Sequence, residues 1–126
     1  MNFLLAFLFF IIPSISYSQT NENKAVLSAN YASFIMYHRF GDSRYPSTNI
    51  KKEQFLKHIN ELIKPKYNVI NIERALLAIN NIELVKDRSV VITIDDAYSS
   101  VYKYAWPIFK KNNLPFTLFV STDVID

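Results

Sequence analysis

Two adjacent carboxylates, Asp95 and Asp96, are the residues whose type and position in this sequence most clearly suggest chemistry. They directly follow Val90–Ile94, an uninterrupted apolar segment rich in β-branched side chains. Segments of this kind are typical of strands that are buried on both faces of a parallel sheet. Functional residues of parallel α/β proteins gather at the carboxyl ends of such strands, which is where the pair is predicted to lie.

A divalent cation is one way for a protein to stabilise this pair, because two neighbouring carboxylates repel each other. Adjacent side chains at a strand end point in different directions. One carboxylate could therefore hold a metal while the other faces a reacting water. The alternative is that one aspartate caps the next helix and the other is solvated. From the pattern alone, we favour the functional interpretation.

The composition limits what else the chain could do. Its 126 residues correspond to one domain of ordinary size. The net charge of +3 comes from scattered basic residues, so we expect a solvated surface and no nucleic-acid partner. There is no cysteine, so a metal would need His, Asp or Glu ligands. Gly41 is the only glycine, which excludes a glycine-rich phosphate loop.

The N-terminus has the pattern of a signal peptide. The apolar run Phe3–Ile12 ends at Pro13, and small residues at Ser16 and Ser18 suit a signal peptidase. We predict a signal peptide at 1–18, a linker at 19–31 and export to the periplasm, cell envelope or medium. The run is shorter than the roughly 20 residues that span a bilayer, so no stable membrane span is expected after cleavage. Signal peptides usually begin with Lys or Arg, and this N-terminus has neither before its apolar run. A buried strand and a short membrane anchor are therefore the alternatives.

Three segments have apolar residues at helical spacing, at 51–63, 71–80 and 99–112. Short apolar runs at 34–37, 69–70, 90–94 and 116–120 alternate with them and predict strands. The order β-α-β-α-β-α-β favours a parallel sheet or barrel with right-handed crossovers. Pro107 inside the third helix predicts a kink or a late start. The predicted N-caps are Thr48 or Asn49, then Asn71, then Ser99 or Ser100.

The segment from Val90 through Tyr98 to Val120 resembles the polysaccharide deacetylase family, the NodB-homology domain of carbohydrate esterase family four. The first motif of that family is Thr-Phe-Asp-Asp-Gly, and this chain has Thr-Ile-Asp-Asp-Ala at 93–97. Met36-Tyr37-His38-Arg39 is similar to the opening strand of one branch of the family. The resemblance covers residues 32–126, which we take as a partial deacetylase domain.

The resemblance implies an α/β fold, namely the first half of a distorted (β/α) barrel with parallel strands and alternating helices. It also implies metal-dependent hydrolysis of N-acetyl groups on an extracellular or cell-envelope polysaccharide, usually with zinc. Asp95 matches the general base and Asp96 matches the metal ligand. His38 and Tyr98 fall at candidate pocket positions; for His38, a capping or packing role is the alternative.

The sequence departs from the family pattern in three ways. Ile94 replaces the usual phenylalanine, which is a mild change. Ala97 replaces the motif glycine, which would cost roughly 1 kcal/mol if that position needs a positive φ. The downstream His-Ser/Thr-x-x-x-His segment, which carries two further metal ligands, is not in these 126 residues. His38 and His58 are the only histidines, and His58 is predicted to lie on the surface because it is off its helix's apolar stripe. We therefore expect a truncated chain with little activity alone.

Two other classes of protein stay open. The first is a non-catalytic carbohydrate-binding or interaction module of the same fold, which could use Tyr98, Tyr102 and Trp106. Such a module would bind sugar without zinc, whereas the enzyme would need the metal. The second is a phosphoacceptor receiver domain, which also places carboxylates at strand ends. It fits poorly with an exported chain and with this order of elements.

Overall fold

The computed structural model describes residues 28–122, so the predicted signal peptide at 1–18 lies outside the described residues. The strands and helices that the sequence predicted are present in the predicted order, and four further strands of two residues each accompany them. In chain order they are β1 (Ser28–Ala29), β2 (Ser33–Tyr37), β3 (Arg39–Phe40), β4 (Asn49–Ile50), α1 (Lys52–Leu62), β5 (Asn68–Ile70), α2 (Ile72–Ile79), β6 (Val85–Lys86), β7 (Ser89–Asp95), α3 (Trp106–Lys111) and β8 (Thr117–Phe119).

The strand that carries the acidic pair, β7, is the centre of the main sheet. It pairs in parallel with β2 from Val90 to Ile94. It also pairs in parallel with β5 beside its first residues and with β8 beside its last residues. The parallel α/β architecture predicted from the sequence is therefore confirmed. Two short pairs flank the sheet: β1 with β6, antiparallel, and β3 with β4, parallel.

The larger hydrophobic core lies on one face of β7. Val90, Ile92 and Ile94 contribute this face of the strand, and the aromatic residues Phe55 of α1 and Phe109 of α3 pack against it with no exposed surface. These two rings meet edge to face, with their centroids 5.4 Å apart. Alternation along a strand sends every second side chain to this face. Burial of the two rings therefore fixes α1 and α3 against one side of the sheet.

A smaller core lies on the opposite face. Val91 of β7 and Ile70 of β5 pack there with Ala75 and Ala78 of α2. Because Thr93 and Asp95 follow Val91 at every second position, they belong to the same face. The Asp95 side chain therefore lies on the same face of the sheet as α2, although α2 packs nearer the start of β7.

Pro107 explains an irregularity before α3. A π-helical segment, Val101–Ala105, precedes α3, and the Trp106 N–H bonds to the Val101 carbonyl. Proline has no N–H to donate to the carbonyl of residue 103, so the regular ladder is interrupted here. This agrees with the kink or late start that the sequence predicted.

Several details differ from the sequence prediction. Ser28–Ala29, inside the predicted linker, form β1. Leu56 and Ile63 of the first apolar stripe are 42% and 49% exposed. Leu76 and Ile79 of the second stripe are 49% and 48% exposed, because the small side chains Ala75 and Ala78 face the sheet instead.

The predicted caps were right for one of the three helices. The Asn71 side chain accepts a hydrogen bond from the Arg74 N–H at 3.1 Å and so caps α2. Lys51, and neither Thr48 nor Asn49, occupies the N-cap of α1. Ser100 occupies the N-cap position of the π-helical segment, but its side chain makes no capping hydrogen bond; its Oγ accepts a hydrogen bond from the Phe40 N–H. Among residues 28–122, no helix is long and apolar enough to cross a bilayer.

Candidate active site

The acidic pair lies at the point where β7 ends. Asp95 is the last residue of the strand and pairs with Phe119 of β8. Asp96 has a φ of +69° and Ala97 a φ of +49°, so both occupy the left-handed region. The Asp96 N–H donates to the Phe119 carbonyl at 2.9 Å. The sequence analysis considered that the motif glycine position could need a positive φ. The structure has a positive φ at this position, with alanine in place of glycine.

Both carboxylates line one depression of about 630 Å³ on the sheet face that α2 covers in part. The turn at Asp96 has left strand geometry, so the pair does not simply alternate between two faces as the sequence prediction assumed. The rest of the lining is mainly apolar, with Phe34 and Met36 from β2 and Phe119 from β8. The acidic pair therefore lies among mainly apolar neighbours, and the Asp95 side chain is still partly exposed.

His38 lies next to Asp95. The distance from its Nε2 to the Asp95 Oδ2 is 3.7 Å, and the two side chains are 24% and 31% exposed. The pair forms because Ile94, one residue before Asp95, is in register with Tyr37, one residue before His38. The arrangement brings together an imidazole and a carboxylate that are far apart in sequence, at an edge open to solvent.

Tyr98, the other candidate pocket residue, packs against a cation. Its ring centroid is 3.5 Å from the Arg39 guanidinium carbon, and Tyr45 lies 4.1 Å from the same carbon. Arg39 also donates from Nη1 to the Thr48 Oγ at 2.7 Å. Tyr98 does not line the depression that contains Asp95. Its ring face instead contacts the arginine that follows His38 in sequence.

His58 is half-buried, rather than on the surface as its position off the apolar stripe had indicated. Its Nδ1 is 2.9 Å from the hydroxyl of Tyr37. Burial raises the pKa of Tyr37 to about 12. His38 and His58 both border a second groove of about 360 Å³ between β2, β4 and α1.

Sequence reasoning missed Arg39 and the apolar lining from β2. A signal for both was present, since period-two alternation places Phe34, Met36 and His38 on one face of that strand. Nothing in the local sequence, however, indicated that Arg39 would meet two tyrosines from separate segments.

The donor chemistry of the site suits a divalent cation, but the number of donors is too small. Carboxylate oxygens and an imidazole nitrogen are ligands that zinc accepts, and catalytic zinc sites use three protein ligands. Among residues 28–122, no group of three His, Asp or Glu side chains is placed to hold a metal ion. The described residues alone therefore do not form a catalytic zinc site.

Comparison with known proteins shows a similarity to polysaccharide deacetylases. A family model for polysaccharide deacetylases matches residues 83–126, the part of the chain that holds β7 and the acidic pair. The chain is 28% identical over 86 residues to YxkH, a predicted polysaccharide deacetylase of Bacillus subtilis (strain 168). That match covers 68% of this chain and 30% of YxkH.

Two solved structures share the fold. A de-N-acetylase from Aggregatibacter actinomycetemcomitans superposes with a TM-score of 0.59 at 24% identity, over 69% of this chain and 36% of that one. The deacetylase PplD of Streptococcus pyogenes, solved with acetate, superposes with a TM-score of 0.61 at 22% identity, over 75% of this chain and 42% of that one. The resemblance to NodB-type polysaccharide deacetylases is thus confirmed in sequence and in fold, and this chain spans less than half the length of these relatives.

Proposed function

We propose that this chain carries the acidic part of the active site of an exported, metal-dependent polysaccharide deacetylase. One observation supports this above all: the Asp95–Asp96 pair ends the central parallel strand and lines an open depression beside His38. The reaction is hydrolysis of an acetamide on an N-acetylated sugar, which releases acetate and leaves a free amine.

Asp95 is the proposed general base. Its carboxylate takes a proton from the water that attacks the acetamide carbonyl, a role that typically contributes a factor of roughly 10² to 10⁴ in rate. The His38 Nε2 lies 3.7 Å from the Asp95 Oδ2, which places an imidazole beside the proposed base. Phe34 and Met36 line the same depression as Asp95. These contacts favour a role for Asp95 in proton transfer.

Asp96 is the proposed metal ligand, and zinc is the metal we expect. A bound divalent cation would polarise the acetamide carbonyl and lower the pKa of water. The further histidine ligands would come from a segment of the whole protein beyond these residues, as the family pattern implies. The left-handed turn holds Asp96 in the same depression as Asp95, so the proposed metal ligand and the proposed base border one space.

The proposed substrate class is an N-acetylated polysaccharide outside the cytoplasm. Chitin-like oligomers, peptidoglycan and secreted poly-N-acetylglucosamine are the candidates, and the Tyr37-His38 opening favours the last through family resemblance. Export rests on the sequence pattern at 1–18.

Acetate release by the whole protein tests this proposal. The substrate is an N-acetylglucosamine oligomer, and the protein is assayed as purified, after chelation, and after zinc is restored. We expect chelation to abolish release and zinc to restore it in the wild type but not in Asp96→Asn. Release that continues in fully chelated protein would contradict metal dependence.

A non-catalytic carbohydrate-binding module of the same fold is the second candidate. The observation that favours it is the exposure of two aromatic side chains, Tyr102 at 76% and Trp106 at 42%. Exposed aromatic rings can stack on sugars. Oligosaccharide binding that is independent of zinc, lost in Trp106→Ala and unchanged in Asp95→Asn, would support this alternative over the enzyme.

A further inference from the structure

Arg39 is held from three directions. Its guanidinium carbon lies 3.5 Å from the ring centroid of Tyr98 and 4.1 Å from that of Tyr45. Its Nη1 donates to the Thr48 Oγ at 2.7 Å. A planar guanidinium can stack between two aromatic faces, whereas the compact ammonium of lysine cannot. The side chain therefore joins the loop between β3 and β4 to the segment after the acidic pair.

The segment that Arg39 contacts carries the strained turn of the site. Tyr98 follows Asp96 by two residues, and its carbonyl accepts the Val101 N–H at 2.8 Å. Phe40, next to Arg39 in β3, donates its N–H to the Ser100 Oγ at 3.2 Å. Left-handed conformations at non-glycine residues persist only where the surroundings impose them. The contacts that Arg39 and Phe40 of β3 make with Tyr98 and Ser100 are placed to stabilise the left-handed conformation of Asp96 and Ala97.

We propose that Arg39 is a positioning residue for the acidic turn. By stacking on Tyr98 it holds Asp96 and Ala97 in the left-handed conformation and so keeps the two carboxylates in one depression. The inference rests on the proposed role of Asp95 and Asp96 as the reacting centre. Among residues 28–122, Arg39 forms no ion pair with Asp95 or Asp96; it acts through Tyr98 and the turn.

The proposal depends on the plane of the guanidinium and on the ring at position 98, so conservative variants test each part separately. Arg39→Lys keeps the charge and loses the stack. Tyr98→Phe keeps the aromatic face, and Tyr98→Leu loses it. Arg44→Lys is the matched control, because Arg44 lies in the same loop, is 78% exposed and pairs with Asp42 at 2.8 Å. Its guanidinium carbon is 5.6 Å from the Tyr45 ring centroid, against 4.1 Å for Arg39, and within residues 28–122 it makes no cation–π contact with Tyr98.

Native-state hydrogen exchange on the 126-residue chain measures the turn directly. One reporter is the Asp96 amide, which bonds to the Phe119 carbonyl of β8, and the other is the Val101 amide, which bonds to the Tyr98 carbonyl. The Ile92 amide in β7 serves as a remote reference. We expect Arg39→Lys and Tyr98→Leu to raise exchange at the turn about tenfold, equivalent to about 1.4 kcal/mol. Tyr98→Phe and Arg44→Lys should leave it unchanged, and Ile92 should not respond to any variant.

Two results would overturn the proposal. One is unchanged exchange at Asp96 in Arg39→Lys, and the other is equal acceleration at Ile92, which would mean a general loss of stability. Acetate release by the whole protein supplies the catalytic readout. We expect kcat to fall about tenfold in Arg39→Lys with KM within about twofold. If even the wild type releases no acetate while the exchange pattern holds, the proposed function fails and the support of the turn by Arg39 stands.

Discussion

Replacing Ala97 with glycine should stabilise this protein. Ala97 has a φ of +49°, in the region where an L-residue with a Cβ is unfavourable by roughly 1–2 kcal/mol. Glycine removes that strain, but its freer unfolded chain offsets about 0.4–1 kcal/mol of the gain. The net effect expected for Ala97→Gly is a gain of roughly 0–1.6 kcal/mol in the free energy of unfolding. The midpoint of about 0.8 kcal/mol corresponds to about 3–6 °C in Tm for a domain of roughly 100 residues.

Chemical and thermal unfolding of the 126-residue chain measure this effect. Ala78→Gly is the control, because Ala78 lies within α2 with no exposed surface. Glycine there should destabilise the protein by roughly 0.5–1 kcal/mol or more, through lost helix propensity and lost packing. A loss of stability in Ala97→Gly, or shifts of the same sign in both variants, would refute the reasoning about the strained turn.

Three further outcomes follow from the described contacts. Burial raises the Tyr37 pKa from 10.0 to about 12, so the stability that the neutral phenol contributes is fully present below pH 10.0 and is lost as the pH rises through about 12. In urea unfolding, Tyr37→Phe should lose less stability at alkaline pH than the wild type does. An identical pH profile in the two proteins would count against this prediction. Phe55→Ala should lower the free energy of unfolding by about 3–5 kcal/mol. Leu56→Ala, at the neighbouring position on the exposed side of α1, should lower it by less than about 1.5 kcal/mol. Equal losses in the two variants would mean that α1 packs differently. In the whole protein, His38→Ala should lower kcat/KM for acetate release by roughly 10- to 100-fold, and wild-type activity in that variant would remove His38 from the site.

The order of elements and the position of the acidic pair were predictable from the sequence. Val90–Ile94 has no polar alternation because both faces of β7 are covered, and that single feature places Asp95 at a strand end. The Asn71 cap was also predictable, since its hydrogen bond is local to the chain. A sequence pattern predicts features such as these, because residues close in the chain determine them.

The helix faces and the loop contacts were less predictable, because distant residues decide them. The bulky residues Leu76 and Ile79 mark an apolar stripe on α2, yet Ala75 and Ala78 face the sheet because their small side chains allow close approach. Thr48, a predicted cap, instead accepts a hydrogen bond from Arg39. No local pattern indicates contacts between segments this far apart.

The site was predicted in part for the same reason. The motif resemblance identified Asp95, Asp96 and His38, and the structure places them at one end of the sheet. The roles of these residues stay predictions. Sequence reasoning did not find Arg39, whose partners Tyr45 and Tyr98 come from two separate loops.

Acetate release from an N-acetylglucosamine oligomer by the whole, zinc-loaded protein, wild type against Asp95→Asn, tests the central claim most directly. Asparagine keeps the size of the side chain and removes its ability to accept a proton, so the rate should fall by roughly 10² to 10⁴ while the protein stays folded and still binds zinc. Release at the wild-type rate from Asp95→Asn would contradict the assignment of Asp95 as the general base.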